Sequence, residues 1–408
     1  MAARNIVVIG ALDTKGEQIL FLKQCLERKK CSTTVIDISM RGVPLFKADI
    51  TPEEIARIGG MSLEQIRISE DRYTITQVMQ RGAAEQVKKL YSSGMVDGII
   101  APGGVTMALF ASSVMNAVPF GIPKMIVCPA VQPVYVSGLF GPKDVVIMQS
   151  IVEMAGLNAL VKSVLARAAG AICGMAEEAG AVVGFRLPKG SIAMTQDGFS
   201  EQCARRVREG LEARGFTVYS FHSQGISDRA LEKLIAEGLF DGVMGIVANG
   251  VIEEIFDGNR AGGKESLEAA GKRGIPLVLT PCGINITGCG PTRKHSEKYA
   301  SREKVEKIDE LRWATRYNAE ELAIGARAYA EKLNRAKGPV RFLVPLKGWG
   351  SSNREGSLLY APEEDRVFVE ELRRHLNPEI VIEEMDCNLE DPQFAAALTE
   401  HLAKMLPH

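Results

Sequence analysis

Residues 9–17, IGALDTKGE, place a glycine, an aspartate, a threonine and a lysine between a β-branched run and a helical pattern. Gly10 lets the chain leave a strand tightly, and Asp13 and Thr14 carry oxygens that accept from the free amides of a helix start. Lys15 adds a cation where the helix dipole already favours anions. Such a turn either cradles a phosphate or carboxylate, or is a capped helix start with a solvated lysine. Residues 102–108, PGGVTMA, add a second loop in which Gly103 and Gly104 leave backbone amides uncovered and Thr106 offers a hydroxyl. Neither the P-loop pattern, GxxxxGK followed by Ser or Thr, nor the dinucleotide pattern GxGxxG occurs. The expected ligand is a small-molecule anion or nucleotide, with Asp13 placed to help hold a magnesium ion that arrives with it.

The second half supplies different chemistry. Asp197, His222, Asn249, Glu253 and Cys282 each follow a strand-like run, a set that contains an acid, a base and a nucleophile if the strand ends converge. No spacing rule links them; a His after a strand is more often a capping or core residue than a catalyst, and Cys282 also reads as a small apolar side chain. Residues 307–334 read as one amphipathic helix on which Arg312 and Arg316 stand a turn apart, either as an anion clamp or as a solvated face paired with Glu320 and Glu321. The sequence has no HExxH, and its eight cysteines form no CxxC pair, so they read as reduced thiols in a cytoplasmic protein.

The elements that must position these residues follow an alternating plan. Short β-branched runs at 5–9, 33–38, 97–101 and 124–128 are separated by helical stretches at 16–29 and 82–93, which predicts an α/β fold with a mostly parallel sheet. Residues 190–222, 238–250 and 273–283 repeat the phrases of 5–38, 94–104 and 120–130 in the same order, so the expected architecture is a duplicated lobe with a cleft between the copies. A chain of 408 residues exceeds one ordinary core, and the division is placed at 1–182 and 183–408. The apolar stretch 151–177 reads as a helix that joins the lobes, makes an oligomer contact or fills the first core. Further on, strands are expected at 340–344 and 379–384 and helices at 363–375 and 391–405. In open sheets of this kind ligands sit beyond the carboxyl ends of the strands. For the first lobe that means Gly10 to Gly16, Ser39 to Gly42, Pro102 to Thr106 and Pro129 to Pro133. A net charge of −1 gives no field for nucleic acid or acidic membranes, and neither a spanning segment nor a targeting peptide is expected.

The elements GALDTKGEQ, DVVIMQSIVEMAGLN, VYSFHSQG, RYNAEELAIGARAYAEKLNRAKGPV and VPLKGWGSSNREGS, in this order over almost the whole chain, resemble the uncharacterised family that includes the ATP-binding domain of the tomato mosaic virus resistance protein. The resemblance implies two Rossmann-like lobes, self-association as a homodimer or higher even oligomer, and ATP with magnesium on the first lobe. It would place Asp13, Thr14, Lys15 and Gly16 with Gly103, Gly104 and Thr106 around the nucleotide. It also suggests a role in bacterial small-molecule metabolism. The chain departs from the family pattern at strand ends: the glycine-rich loop is shortened to Gly103-Gly104-Val105-Thr106, a hydroxyl-rich stretch is replaced by 128–133, and an Asp-Leu-Thr-Thr run by 245–254. Two rival functions follow from the residues alone. One is an enzyme acting on a small carboxylate or sugar acid between the lobes, with Lys15 or Arg316 as anchor and His222, Asp197 or Cys282 at the chemistry; the other is a non-catalytic assembly subunit.

Overall fold

The computed structural model describes residues 4–129, 143–181 and 187–406. The chain divides into an N-terminal unit, Met1–Phe185, and a C-terminal unit, Arg186–His408. Each has its own sheet and its own cores.

The N-terminal sheet consists of β1 (Asn5–Gly10), β2 (Ser32–Asp37), β3 (Gly98–Pro102), β4 (Lys124–Cys128) and β5 (Val145–Gln149), in the order β2-β1-β3-β4-β5. All its pairings are parallel. A parallel sheet covered on both faces buries successive side chains alternately to each side. In β1, Val7 and Ile9 join one core with Ile55, Val78, Met79 and Ala111. Ile6 and Val8 join the other with Leu22, Leu26, Leu165 and Ile172.

The helix Ala159–Ala181 packs into that second core, as the core reading of 151–177 expects, and it begins eight residues later than expected because 151–158 are irregular. Its segment 159–179 is long and apolar enough to cross a membrane, yet Val161, Leu165, Ala168, Ala169 and Ile172 lie buried in the protein. Of the stretch 128–133, which departs from the family pattern, residues 130–133 lie outside the described residues.

The C-terminal sheet repeats the plan. It contains β6 (Ser191–Gln196), β7 (Thr217–His222), β8 (Gly242–Val247), β9 (Leu277–Cys282), β13 (Val340–Pro345) and β14 (Val381–Met385), ordered β14-β13-β9-β8-β6-β7 and parallel throughout. Counted from its own first strand this is the N-terminal order with one strand added. A small antiparallel sheet of β10 (Ile286–Gly288), β12 (Trp313–Arg316) and β11 (Val305–Lys307) is inserted between β9 and β13.

That insertion corrects the expected helix 307–334. Residues 313–316 are a strand whose Arg316 pairs with Ile286, and the helix is confined to Ala319–Leu333. A capping box starts it: Asn318 accepts from the Glu321 amide, and Glu321 accepts from the Asn318 amide. Arg312 and Arg316 are therefore not neighbours on a helical face.

Candidate functional site

In an open α/β sheet the strand order reverses at one point, and the loops that diverge there open a crevice at the carboxyl ends of the strands. In the N-terminal unit that point lies between β1 and β3. A cavity of about 460 Å³ occupies it, lined by Asp13, Thr14, Lys15, Gly103, Gly104 and Thr106 together with Arg41, Arg72 and Thr76. Ala11, Ile38, Met40, Ile75, Met107 and Phe110 supply its apolar wall. Three cations line it against a single carboxylate.

The first turn differs from the expected capped loop. The helix begins at Leu12, its cap residue is Ala11, and no side chain caps it in the Asp13 or Thr14 manner. Its first amides are nevertheless satisfied. The Leu12 amide donates to Asp37 Oδ1 at 3.1 Å and the Asp13 amide to Ser39 Oγ at 3.0 Å, while the Thr14 and Lys15 amides reach the Ala11 carbonyl. Asp37, fully buried at the end of β2, also accepts from the Ser39 amide and hydroxyl. Burial pushes its carboxyl pKa up, and these hydrogen bonds oppose the rise.

The side chains of this turn have separate tasks. Asp13 Oδ2 accepts from the Gly42 amide at 2.9 Å and so ties the loop after β2 to the helix, whereas Asp13 Oδ1 is buried without a partner among the described residues. Lys15 sits at a kink in the helix, with φ −128° and ψ 18°, and its Nζ donates to the Met154 carbonyl at 2.6 Å. An ammonium group has three donors, so two remain. Gly16 is buried and does not line the cavity; a Cβ there would lie 2.4 Å from Leu45 Cβ, so its smallness seats the loop after β2.

The second loop keeps its donors open. The Gly103 amide donates to the Val127 carbonyl at 2.9 Å, which anchors the loop to β4, and a Cβ at Gly103 would come within 2.6 Å of Met107 Cβ. Gly104 is the cap of the helix Val105–Asn116 and has no side-chain cap bond. The amides of Gly104 and Thr106 have no hydrogen bond to another described residue. They stand at the positive end of a three-turn helix.

Two cations of the cavity were not singled out from the sequence. Arg41 lies within the segment 39–42, already expected at the crevice, and its Nη2 donates to the Ser69 carbonyl at 2.9 Å. Arg72 opens the helix Arg72–Ser92 and is exposed, without an ion-pair partner among the described residues. The only available signal was that the helix cap, Asp71, accepts from the Thr74 amide and fixes where Arg72 must lie.

In the C-terminal unit the corresponding reversal lies between β6 and β8. Asp197 and Asn249 follow these strands and are buried. Ser223 Oγ lies 2.7 Å from Asp228 Oδ1 and 3.0 Å from Asn249 Oδ1, and the Gly225 amide donates to Asp228 Oδ2. Glu253 binds the buried Arg260 through its backbone amide and guanidinium. Burial raises the pKa of Asp197, with Arg260, the Phe199 amide and His222 pulling the other way. Asp197 Oδ2 and Asn249 Nδ2 have no partner among the described residues. His222, the last residue of β7, is exposed.

Cys282 does not fit the role of nucleophile. It is fully buried, and burial beside Asp197 holds its thiol well above the ordinary range, so the thiolate is suppressed. Arg316 is likewise committed internally: its guanidinium bonds Asp365, Glu364 at 3.0 Å and the Leu359 carbonyl at 2.8 Å. Arg312 is exposed and paired with Asp309 at 2.6 Å.

Comparison with known proteins follows the same division of the chain. Residues 4–181 match the N-terminal domain and residues 189–406 the C-terminal domain of the uncharacterised protein family UPF0261. The chain belongs to this family. A UPF0261 protein of Clostridium tetani is 32% identical over 408 residues, covering 99% of each chain. One from Brucella suis is 30% identical over 397 residues, covering 96% of this chain and 93% of the relative. A more distant relative is the tomato ToMV resistance protein Tm-1, 25% identical over 423 residues, which spans 99% of this chain and 56% of the tomato protein.

Proposed function

We propose that the N-terminal unit binds a phosphate-bearing small molecule, with a nucleotide of the ATP type as the leading ligand. The carrying observation is that Gly104 and Thr106, whose amides are open among the described residues, line the same cavity as Lys15, Arg41 and Arg72. Backbone donors at a helix start, joined by cations, form the usual protein environment for phosphate. The apolar wall of Ile75, Met107 and Phe110 suits a planar or apolar body attached to that phosphate. Asp13 Oδ1 fits a magnesium ion only as one ligand among phosphate oxygens, because no cluster of three metal-ligating side chains occurs among the described residues.

The test is calorimetric titration of the whole protein with ATP and magnesium, with inorganic phosphate as a second titrant. Saturable binding is expected, weakened about tenfold or more in Lys15→Ala and in Arg72→Ala, the loss of one charge-assisted contact each. Heat signals from ATP unchanged in both folded variants would place the ligand elsewhere.

A second reading rests on Asp197, whose unpartnered oxygen lies at the reversal point of the other sheet. There the C-terminal unit would act on a small polar substrate, with His222 moving a proton. A His222→Ala variant that keeps full turnover of such a substrate would remove the residue from that scheme.

A further inference from the structure

Cys31 and Cys173 are 142 residues apart in sequence, and their sulfurs lie 2.8 Å apart. Cys31 occupies the turn between the helix Leu12–Arg28 and β2, directly after Lys30, whose φ is +64°. Cys173 lies on the helix Ala159–Ala181, and both thiols are buried in one core, 6% and 4% exposed. A disulfide bond is about 2.05 Å long, so the sulfurs need to approach by less than about 1 Å. Among the described residues no other pair of cysteines makes a sulfur contact. Cys25 shares the same core and instead lies beside the Arg28 guanidinium, and Cys203, Cys282 and Cys387 share a core of the other unit.

We propose that Cys31 and Cys173 form an oxidisable dithiol site, closed to a disulfide by a low-molecular-weight disulfide such as oxidised glutathione. The Cys31 thiolate attacks one sulfur of the small disulfide, giving a mixed disulfide and releasing one small thiol. The Cys173 thiol then loses its proton and attacks Cys31 Sγ, releasing the second small thiol. Two protein thiols are oxidised by two electrons, and the small disulfide is reduced to two thiols. Cys31 takes the first step because it is the slightly more exposed residue, at a turn before β2, and because burial together with Cys31 itself pushes the Cys173 thiol up. The bond would tie the amino end of β2 to the helix Ala159–Ala181. It would close most of the N-terminal unit into one covalent loop, which stabilises chiefly by restricting the unfolded chain.

The experiment exposes the folded, full-length protein to oxidised glutathione and counts free thiols under denaturing conditions, with peptide mapping by mass spectrometry. The expected result is loss of two of the eight thiols, a single linked peptide pair containing Cys31 and Cys173, and a higher melting temperature that dithiothreitol reverses. Cys31→Ala and Cys173→Ala should each abolish the linked pair and the reversible melting shift. The mapping of the unaltered protein keeps the proposal testable even if both variants fold poorly. Retention of all eight thiols in the folded protein, stable glutathione adducts without cross-linking, or a link between other cysteines would each overturn it.

Discussion

Glu232 shows how one carboxylate drawn partly out of water sets a pH dependence. It is half-buried and accepts from the amides of Leu267, Glu268 and Ala269 at 2.8–3.2 Å, where the helix Ala269–Arg273 begins. Burial outweighs these bonds and the nearby Lys332, and its pKa rises from 4.5 to about 7. A carboxyl whose folded pKa is raised binds more protons folded than unfolded across that window. Its contribution is therefore fully present below about pH 4.5 and lost as pH rises through about 7. Glu268 has the opposite sign, since ion pairs with Lys272 and Lys332 lower its pKa to about 2, so its contribution falls only in more acidic solution. Denaturant titrations at pH 5 and pH 8 should show Glu232→Gln removing part of the stability difference between them; an unchanged difference would mean that this carboxyl is already ionised at pH 5.

Among the elements, the helix Arg72–Ser92 carries Arg72, Ile75 and Thr76 to the cavity, so its seat governs the cationic wall. It crosses the helix Pro52–Gly59 at two glycines: a Cβ on Gly82 would lie 2.0 Å from the Ile55 carbonyl oxygen, and one on Gly59 2.1 Å from that of Val78. Gly82→Ala is expected to cost about 1–3 kcal/mol by overpacking and to weaken nucleotide binding in the same titration, while an exposed substitution on the helix, Gln77→Ala, should change neither. The two loops also predict different amide behaviour. In hydrogen exchange, Leu12 and Asp13 should be protected without ligand because Asp37 and Ser39 hold them, whereas Gly104 and Thr106 should slow only after ATP and magnesium are added; protection of all four before addition would contradict the open-donor reading. Much of this frame was legible because β-branched runs and helical periods mark their own ends, as at β1, β4 and β13. The helix expected across 307–334 failed because Trp313–Arg316 is a short strand completed by distant β10 and β11, pairings that local pattern does not carry. Asp37 and Arg72 escaped notice for a related reason: each acts on residues brought near only by the sheet order.

For the whole molecule, each unit owns a complete parallel sheet with a core on either face. Expressed separately, Met1–Phe185 and Arg186–His408 should each unfold cooperatively in calorimetry, and the first alone should retain ATP binding; a first unit that is folded but silent would show that the ligand needs residues of both. The repeated strand order has one more consequence. The same reversal occurs in both sheets, so the chain carries two topologically equivalent strand ends, and the charged residues gathered at them differ. Lys15, Arg41 and Arg72 line the first, whereas the buried carboxyls of Asp197, Asp228 and Glu253 lie near the buried guanidinium of Arg260 at the second. If the proposed anion site is right, a polyanion that suits the first end would meet no matching set of cations at the second, and one architecture would sort its visitors by charge before any shape is tested.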